Sequence, residues 1–381
     1  MSGKFLSMDY KVISMNREIQ YEKFFTMSVK DTLTEQQVAL YVKPLYAAEG
    51  FHKVYEATKK KKMLPYVASM LSKANIDKFN WEPVLENYRK RNAIVLQQLS
   101  NIYAIMAEAG IKKIFISENY GALLSSGRDI GLFASGDCDS CADIAEKSKI
   151  DKVFEEMGYT REDRYSGMML CTSSYYNPKL LPDDFYFGVC WEPLSRLKLP
   201  CFINMDDFVD WDNLRTLDGY AIKMPSAEAL LYICLMHITL HSFHRAPAIR
   251  MYADILNSCY SGEVDWNKVY EWAKRDHTVI RMMTSAILAN KLIDVPIPEF
   301  VKEYENDKRV KRLFSYAYNT EHDCLNSEPR RIRVYNIEIS CNDKNPVAGL
   351  FEMLYPGSKW LRAHYGHNVI FSTLLHFKNM L

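Results

Sequence analysis

The chain has 381 residues, of which 48% are hydrophobic and 25% are charged, a mixture typical of globular proteins with a sizeable core. The 48 Lys and Arg residues nearly balance the 47 Asp and Glu residues, which excludes the strongly basic character of a dedicated nucleic-acid-binding protein. The sequence contains no run of the roughly 20 apolar residues that a membrane-spanning helix needs.

The N-terminal residues and the cysteines indicate a cytoplasmic protein without a membrane partner. No apolar signal core follows the first four residues. Nine cysteines, an odd number in a chain without a secretion signal, indicate reduced thiols. Cys138 and Cys141 have C-x-x-C spacing, but no second such pair is present. Incidental thiols are therefore favoured over a zinc or redox site.

The first third of the chain has apolar residues at helical spacing. The segments with this spacing are 34–46, 62–74 and 81–103. Gly110 follows the last of them, where a glycine in the left-handed conformation commonly ends a helix. The pattern predicts an N-terminal helical region over residues 1–109.

The pattern changes after Gly110 to short β-branched and aromatic runs that alternate with helical segments. We expect strands at 111–116, 168–172 and 185–191 and a helix over 144–157. This alternation predicts a small α/β core over residues 110–222.

Helical spacing returns at Pro225. The expected helices cover 226–244, 248–257, 265–276 and 278–292, and another follows Gly357. Residues 320–345 are polar and irregular, with a candidate strand at 330–335. Residues 223–381 are therefore predicted to form a mainly helical C-terminal domain.

The segment Gly136-Asp137-Cys138-Asp139 places two carboxylates one residue apart after small residues. If this segment is extended, alternation directs both carboxylates to the same face. Two oxygen ligands on one face suit Mg²⁺ that carries nucleotide phosphates. Acidic pairs are also common in loops, so a solvated acidic turn is the alternative.

Over nearly its whole length the chain resembles the uncharacterised bacterial nucleotidyltransferase family, a branch of the polymerase-β-like nucleotidyltransferase superfamily. The resemblance implies an α+β fold with a small nucleotidyltransferase-type mixed sheet core, flanked by N-terminal and C-terminal helical regions. Gly-Asp-x-Asp is its most specific element. The other segments that carry it are 109–116, 120–124, 187–191, 225–254 with His237, His241 and Asp254, and 354–358.

The resemblance implies transfer of a nucleoside monophosphate from a nucleoside triphosphate to a hydroxyl, with release of pyrophosphate. Asp137 and Asp139 would bind Mg²⁺ or Mn²⁺, and Gly121, Ser135 and Gly136 would contact the phosphates. The acceptor is open: a small metabolite, a sugar, a peptide or a protein side chain. Nucleic acid and membrane partners are not expected.

The sequence departs from the family pattern at two functional positions. Tyr120 replaces a turn lysine, and Gly188 or Cys190 stands where a third carboxylate is expected. Glu192 would share the face of Gly188 if the strand continues, so it is the candidate third catalytic carboxylate, with a surface acid as the alternative. These departures keep two other functions open: a catalytically degenerate nucleotide-binding protein and a mainly helical interaction protein.

Other clusters are weaker candidates. The segment 128–131 places one carboxylate, Asp129, before an apolar run, and we rank it behind Asp137 and Asp139 as the acidic motif. His237, His241 and His244 share a helix face, but the general-base glutamate of zinc proteases is absent. Packing of these histidines at a domain interface is therefore favoured over contact with phosphate or zinc.

Three acidic residues and two basic residues after the last expected strand of the core are given structural interpretations. The acidic residues are interpreted as part of a solvated loop or helix cap and not as a metal site. The basic residues are interpreted as surface charges and not as triphosphate contacts. They are Asp206, Asp207, Asp210, Arg196 and Lys198. The sequence has no P-loop and no Gly-x-Ser-x-Gly motif, which disfavours P-loop ATPases and serine hydrolases.

Overall fold

The computed structural model describes residues 17–166, 169–181, 185–191, 203–243, 248–260, 262, 264–326, 343, 347, 351, 355, 357–366 and 368–380. The candidate catalytic residue Glu192, the histidine His244, the basic residues Arg196 and Lys198, and the expected strand at 330–335 lie outside these residues. Along the described residues, no helix has both the length and the apolar character needed to cross a membrane.

From residue 17 onward the N-terminal region is helical, as predicted. Its helices are α1 Arg17–Val29, α2 Glu35–Gln37, α3 Lys43–Lys60, α4 Leu64–Lys73 and α5 Lys78–Glu108. The segment 34–46 is not one regular helix, because a π-helical stretch, Val38–Val42, separates α2 from α3. Helix α5 buries the apolar face that includes Val95, Leu99 and Met106, and Gly110, with φ of +72°, directs the chain out of it.

A mixed five-stranded sheet follows. Its strands are β1 Ile114–Ile116, β2 Asp137–Ala142, β3 Thr160–Ser166, β4 Met169–Tyr176 and β5 Tyr186–Cys190, with helices α6 Tyr120–Ser126 and α7 Lys147–Glu156 between them. The spatial order is β1-β2-β5-β4-β3. Strands β2 and β5 run parallel, and the other neighbouring pairs are antiparallel. The structure thus confirms the α+β fold class.

Two features of the sheet differ from the prediction. Strand β3 was not expected, because its sequence, Thr-Arg-Glu-Asp-Arg-Tyr-Ser, is mostly charged and lacks an apolar face. It forms because it pairs with β4 at the edge of the sheet. Strand β4 also extends to Tyr176, beyond the predicted end at 172. Long-range pairing overrides local composition at both places.

Helices α5 and α7 cover one face of the sheet. The Phe154 ring of α7 stacks on Tyr175 with centroids 3.8 Å apart, and the Tyr103 hydroxyl of α5 is 3.0 Å from Ser140 Oγ. Residues that are direct partners across strands point to the same side. The opposite face therefore bears Asp137, Asp139 and their partners on β5 and β4, and we call it the open face.

Helices dominate the rest of the described chain. They are α8 Ala227–Leu240, α9 Ala248–Ser258, α10 Trp266–Arg275, α11 Val279–Ile293, α12 Glu299–Glu303, α13 Lys308–Ala317, α14 Ser358–Tyr365 and α15 Val369–Met380, with short strands β6 Arg215–Thr216, β7 Lys223–Met224, β8 Tyr318–Asn319 and β9 Cys324–Leu325. Helices α6, α8 and α9 pack against one another, which brings the C-terminal helices to the end of β1. Because one apolar core runs from Phe24 to Leu325, the domain boundaries at 109 and 222 stay a prediction.

Candidate active site

Asp137 and Asp139 lie on the open face of β2, as the alternation argument predicted. Both are partly buried, whereas the intervening Cys138 is fully buried against the helical side. Cys138 and Cys141 are three residues apart on the same strand, so alternation directs their side chains to opposite faces. The C-x-x-C spacing therefore does not form a paired thiol site.

Two hydroxyl groups hold Asp137. The Ser135 hydroxyl donates to Oδ1, and the Tyr186 hydroxyl donates to Oδ2 at 2.9 Å. Burial opposes ionisation of Asp137, but these hydrogen bonds and the positive charges of Lys62 and Arg250 lower its pKa overall. Asp137 is therefore ionised at neutral pH.

Asp139 has the opposite environment. No donor among the described residues hydrogen-bonds to its carboxylate. Burial, together with the negative charges of Asp137 and Glu118, raises the pKa of Asp139 to about 7, although His237 and Arg250 partly offset this effect. Near neutral pH Asp137 is therefore ionised and Asp139 is partly protonated, unless a cation neutralises the pair.

Gly188 on β5 is the direct partner of Asp139 on β2. A Cβ built at position 188 would overlap Oδ1 of Asp139. The Asp139 carboxylate therefore occupies the space that a third acidic side chain at this position would need. The sequence left Gly188 or Cys190 as the position of the missing third carboxylate, and Gly188 is the one that lies opposite Asp139.

The three predicted phosphate-contact residues do not lie in one place. Ser135 and Gly136 immediately precede Asp137, and Gly136 is exposed with no atom within 4 Å of where a Cβ would be. Gly121 is buried in the first turn of α6, where a Cβ would lie 3.0 Å from the Ile116 carbonyl oxygen. Gly121 thus permits close packing of α6 on β1, and phosphate binding by Ser135 and Gly136 stays a prediction.

Tyr120, at the position of the family's turn lysine, is a core residue. Its side chain is fully buried, its hydroxyl donates to the Asn92 carbonyl oxygen at 3.0 Å, and its ring lies 4.3 Å from that of Phe133. The positive charges that act on Asp137 come instead from Lys62, in the loop between α3 and α4, and from Arg250 on α9.

Sequence reasoning missed Glu118. The Ser117 N–H donates to the Asp139 carbonyl oxygen at 2.9 Å, so the next residue, Glu118, lies beside the acidic pair. Its Oε2 is 2.6 Å from Nδ1 of His237 on α8. Burial lowers the pKa of His237, but the charge and hydrogen bond of Glu118 raise it overall. The signal in the sequence was an acidic residue in the turn after β1, two residues before the segment 120–124.

Two more buried ionisable residues come from α9. Arg250, which is 7% exposed, donates to Oδ1 of Asn119, and its Nε has no acceptor among the described residues. Asp254 is 4% exposed, and burial raises its pKa to about 6 despite the nearby Arg250. Ionisable groups from the turn after β1 and from helices α8 and α9 therefore lie near the acidic pair on β2.

The residues present suit a magnesium ion that is held jointly with a nucleotide. Among the described residues, no three His, Cys, Asp or Glu side chains are grouped so that they alone would hold a metal ion. Mg²⁺ is commonly bound by one or two carboxylates, with phosphates and waters completing its shell. Asp137 and Asp139 provide two carboxylates, and the raised pKa of Asp139 indicates negative charge that the protein itself does not neutralise.

The alternative acidic clusters have structural partners. Both carboxylate oxygens of Asp129 accept from Arg89, at 2.9 and 2.6 Å to Oδ2 and 3.2 Å to Oδ1. Asp129 also accepts from the Gly131 N–H at 2.8 Å. Asp206 accepts from Trp211 Nε1 at 2.7 Å in an exposed turn. These contacts support the structural interpretations of both clusters.

Comparison with known proteins gives one family match. A family described as uncharacterised nucleotidyltransferase matches residues 47–294, close to two thirds of the chain. No curated protein matches the chain. The solution structure of the antibiotic-resistance factor ANT(2'')-Ia aligns over 48% of this chain and 90% of its own, with 13% sequence identity and a TM-score of 0.31. A similarity at that level supports no statement about this chain.

Proposed function

The chain belongs to the family of uncharacterised nucleotidyltransferases, and from this premise we propose that it transfers a nucleoside monophosphate from a nucleoside triphosphate to a hydroxyl acceptor and releases pyrophosphate. The observation that carries the proposal is the pair Asp137 and Asp139 on the open face. One of these carboxylates is ionised and held by hydroxyl groups, and the other has no donor among the described residues.

Asp137 and Asp139 would hold Mg²⁺ or Mn²⁺, which neutralises phosphate charge and offsets the charge that develops in the displacement. Ser135 and Tyr186 fix the orientation of the Asp137 carboxylate. The exposed Gly136 lets backbone approach the phosphates. Lys62 and Arg250 add positive charge near Asp137.

The direct test measures binding and turnover separately. Isothermal titration with the magnesium complexes of ATP, CTP, GTP and UTP reports binding, and a coupled pyrophosphate assay reports turnover. We expect at least one nucleotide to bind, and Asp139→Asn to weaken that binding by a factor of ten or more. Asp143→Asn, four residues along the chain at the end of β2, is the matched control and should bind normally. Failure of every nucleotide to bind the wild-type protein would rule out the proposal.

A second candidate is a protein that binds nucleotides without turnover. Gly188 favours it, because this direct partner of Asp139 brings no third carboxylate to β5. Nucleotide binding without pyrophosphate release, across a wide panel of hydroxyl acceptors, would support this candidate. Turnover that Asp139→Asn abolishes would eliminate it.

A further inference from the structure

We propose that His237, oriented by Glu118, is the general base that accepts the proton of the acceptor hydroxyl. This inference rests on the proposed nucleotidyl transfer. The carboxylate Oε2 of Glu118 is 2.6 Å from His237 Nδ1. Because a carboxylate accepts a hydrogen bond, the neutral imidazole carries its proton on Nδ1, and Nε2 is left as the proton acceptor.

The position of the pair suits the acceptor side of the reaction. The hydrogen bond from the Ser117 N–H to the Asp139 carbonyl oxygen, at 2.9 Å, joins the Glu118 turn to the acidic strand. The His237 side chain is 23% exposed, and the Glu118 side chain is 12% exposed. The imidazole is therefore accessible to a substrate, whereas the carboxylate that orients it is largely shielded from water.

The Nε2 atom of His237 has no hydrogen-bond partner among the described residues. In the part of the chain that the structure describes, the His237 side chain has one ion-pair partner, Glu118, and one ring neighbour, His241, whose centroid is 5.1 Å away. The charged groups that act on the pair are Asp139 on β2 and Arg250 and Asp254 on α9. Within the described ranges, neither Asp139 nor Asp254 forms an ion pair with His237 within 4.0 Å.

A histidine base would also replace the third carboxylate that is missing from β5. The direct partner of Asp139 on β5 is Gly188, which has no carboxylate, so the acceptor-side base comes from another element. Helix α8 presents His237 next to the end of β1, and the turn after β1 supplies the carboxylate. A carboxylate that orients a histidine base is an established catalytic arrangement.

In the proposed step, the acceptor oxygen attacks the α-phosphorus and forms a P–O bond. The bond between the α-phosphorus and the oxygen that bridges to the β-phosphate breaks, and pyrophosphate leaves with that electron pair. The hydroxyl proton moves to Nε2 of His237, and the Glu118 carboxylate stabilises the imidazolium that forms. His237 is thus the catalytic residue of the pair, and Glu118 is a positioning residue.

The experiment uses the full chain with Mg²⁺, each of the four nucleoside triphosphates and glycerol as the hydroxyl probe, and follows pyrophosphate release. His237→Gln should lower kcat about 100-fold, within the range for loss of a general base, while the nucleotide KM changes less than about twofold. Glu118→Gln should lower kcat about tenfold and move the acidic limb of the kcat–pH profile about one unit lower, because the imidazole loses its anionic partner. His241→Gln, one turn along α8, is the control and should retain wild-type kcat.

The outcomes separate this inference from the proposed function. If His237→Gln keeps wild-type kcat while Asp139→Asn abolishes turnover, the general base is rejected and the proposed function stands. If the wild-type protein releases pyrophosphate from none of the four nucleoside triphosphates, both proposals are rejected. Should the variants not fold, ¹⁵N NMR of the wild-type histidine rings decides. Protonation of neutral His237 on Nδ1 supports the pair, and protonation on Nε2 overturns it.

Discussion

Asp139 and Gly188 are direct partners across the parallel strands β2 and β5, and the Asp139 carboxylate fills the volume that a side chain at position 188 would occupy. The Asp139 carboxylate therefore lies against the Cα position of Gly188. This relationship predicts which substitutions in the sheet the protein tolerates.

Gly188→Ala should destabilise the protein by about 1–3 kcal/mol, because the added methyl group forces Asp139 or the backbone to move. Urea unfolding measures the effect. Gly136→Ala, just before β2 where no atom lies within 4 Å of the new Cβ, is the control and should change stability by less than about 0.5 kcal/mol. Equal effects of the two substitutions would contradict the steric argument.

Asp139→Asn should stabilise the metal-free protein at pH 8. The pKa of Asp139 is raised to about 7 in the folded state, from an ordinary value of 3.8. The folded state therefore binds more protons between these values, and wild-type stability falls as the pH rises through this window. The gain from Asn is at most about 4 kcal/mol at pH 8, from 1.36 kcal/mol per pKa unit, and it should vanish below pH 4.

Urea unfolding in EDTA at several pH values tests this prediction. Asp143→Asn provides a control of opposite sign. A backbone hydrogen bond from Ala145 and the contact with Lys113 lower the pKa of Asp143, so its ionised form stabilises the folded state above the unfolded pKa. Asp143→Asn should therefore destabilise the protein at pH 8. A destabilising effect of Asp139→Asn at that pH would refute the account of Asp139.

Magnesium–nucleotide binding should weaken as the pH falls from 8 to 6. A bound divalent cation requires ionised carboxylates, and the pKa of Asp139 is raised to about 7 without the cation. The dissociation constant should rise about tenfold per pH unit below pH 7. Titration calorimetry in buffers of different ionisation enthalpy should show proton release on binding. EDTA should abolish turnover, and a pH-independent affinity would contradict the prediction.

Tyr186→Phe should weaken magnesium–nucleotide binding about threefold to tenfold. The substitution removes the hydroxyl that donates to Oδ2 of Asp137 at 2.9 Å, which is worth about 1 kcal/mol. Tyr176→Phe is the matched control, because Tyr176 is the cross-strand neighbour of Tyr186 and its hydroxyl donates to Glu162 instead. A loss of affinity in the control as large as in Tyr186→Phe would point to the aromatic surface and not to Asp137.

Asp129→Asn tests the rival position of the acidic motif. The pair with Arg89 should make the variant about 1 kcal/mol less stable at pH 7. Burial opposes ionisation of Asp129, but Arg89 lowers its pKa overall, so this difference should shrink as the pH falls below the ordinary value of 3.8 and the carboxylate is protonated. Nucleotide affinity should stay unchanged, and a tenfold loss would favour Asp129 over Asp137 as the functional acid.

The sequence was sufficient for the features that depend on neighbouring residues. The period of 3.6 predicted α5 and α8–α11 to within a few residues at most ends. The period of two predicted that Asp137 and Asp139 share a face. Local signals failed at β3, where the charged sequence forms a strand only because β4 pairs with it.

The tertiary structure alone decided the environment of the acidic pair. Gly188 faces Asp139 because β2 and β5 are parallel neighbours, although three other elements separate them in the chain. Glu118 meets His237 because α8 packs on α6, which follows the Glu118 turn. Burial and the charges of distant residues give two similar aspartates different pKa values, and such long-range effects leave no periodic signal in the sequence.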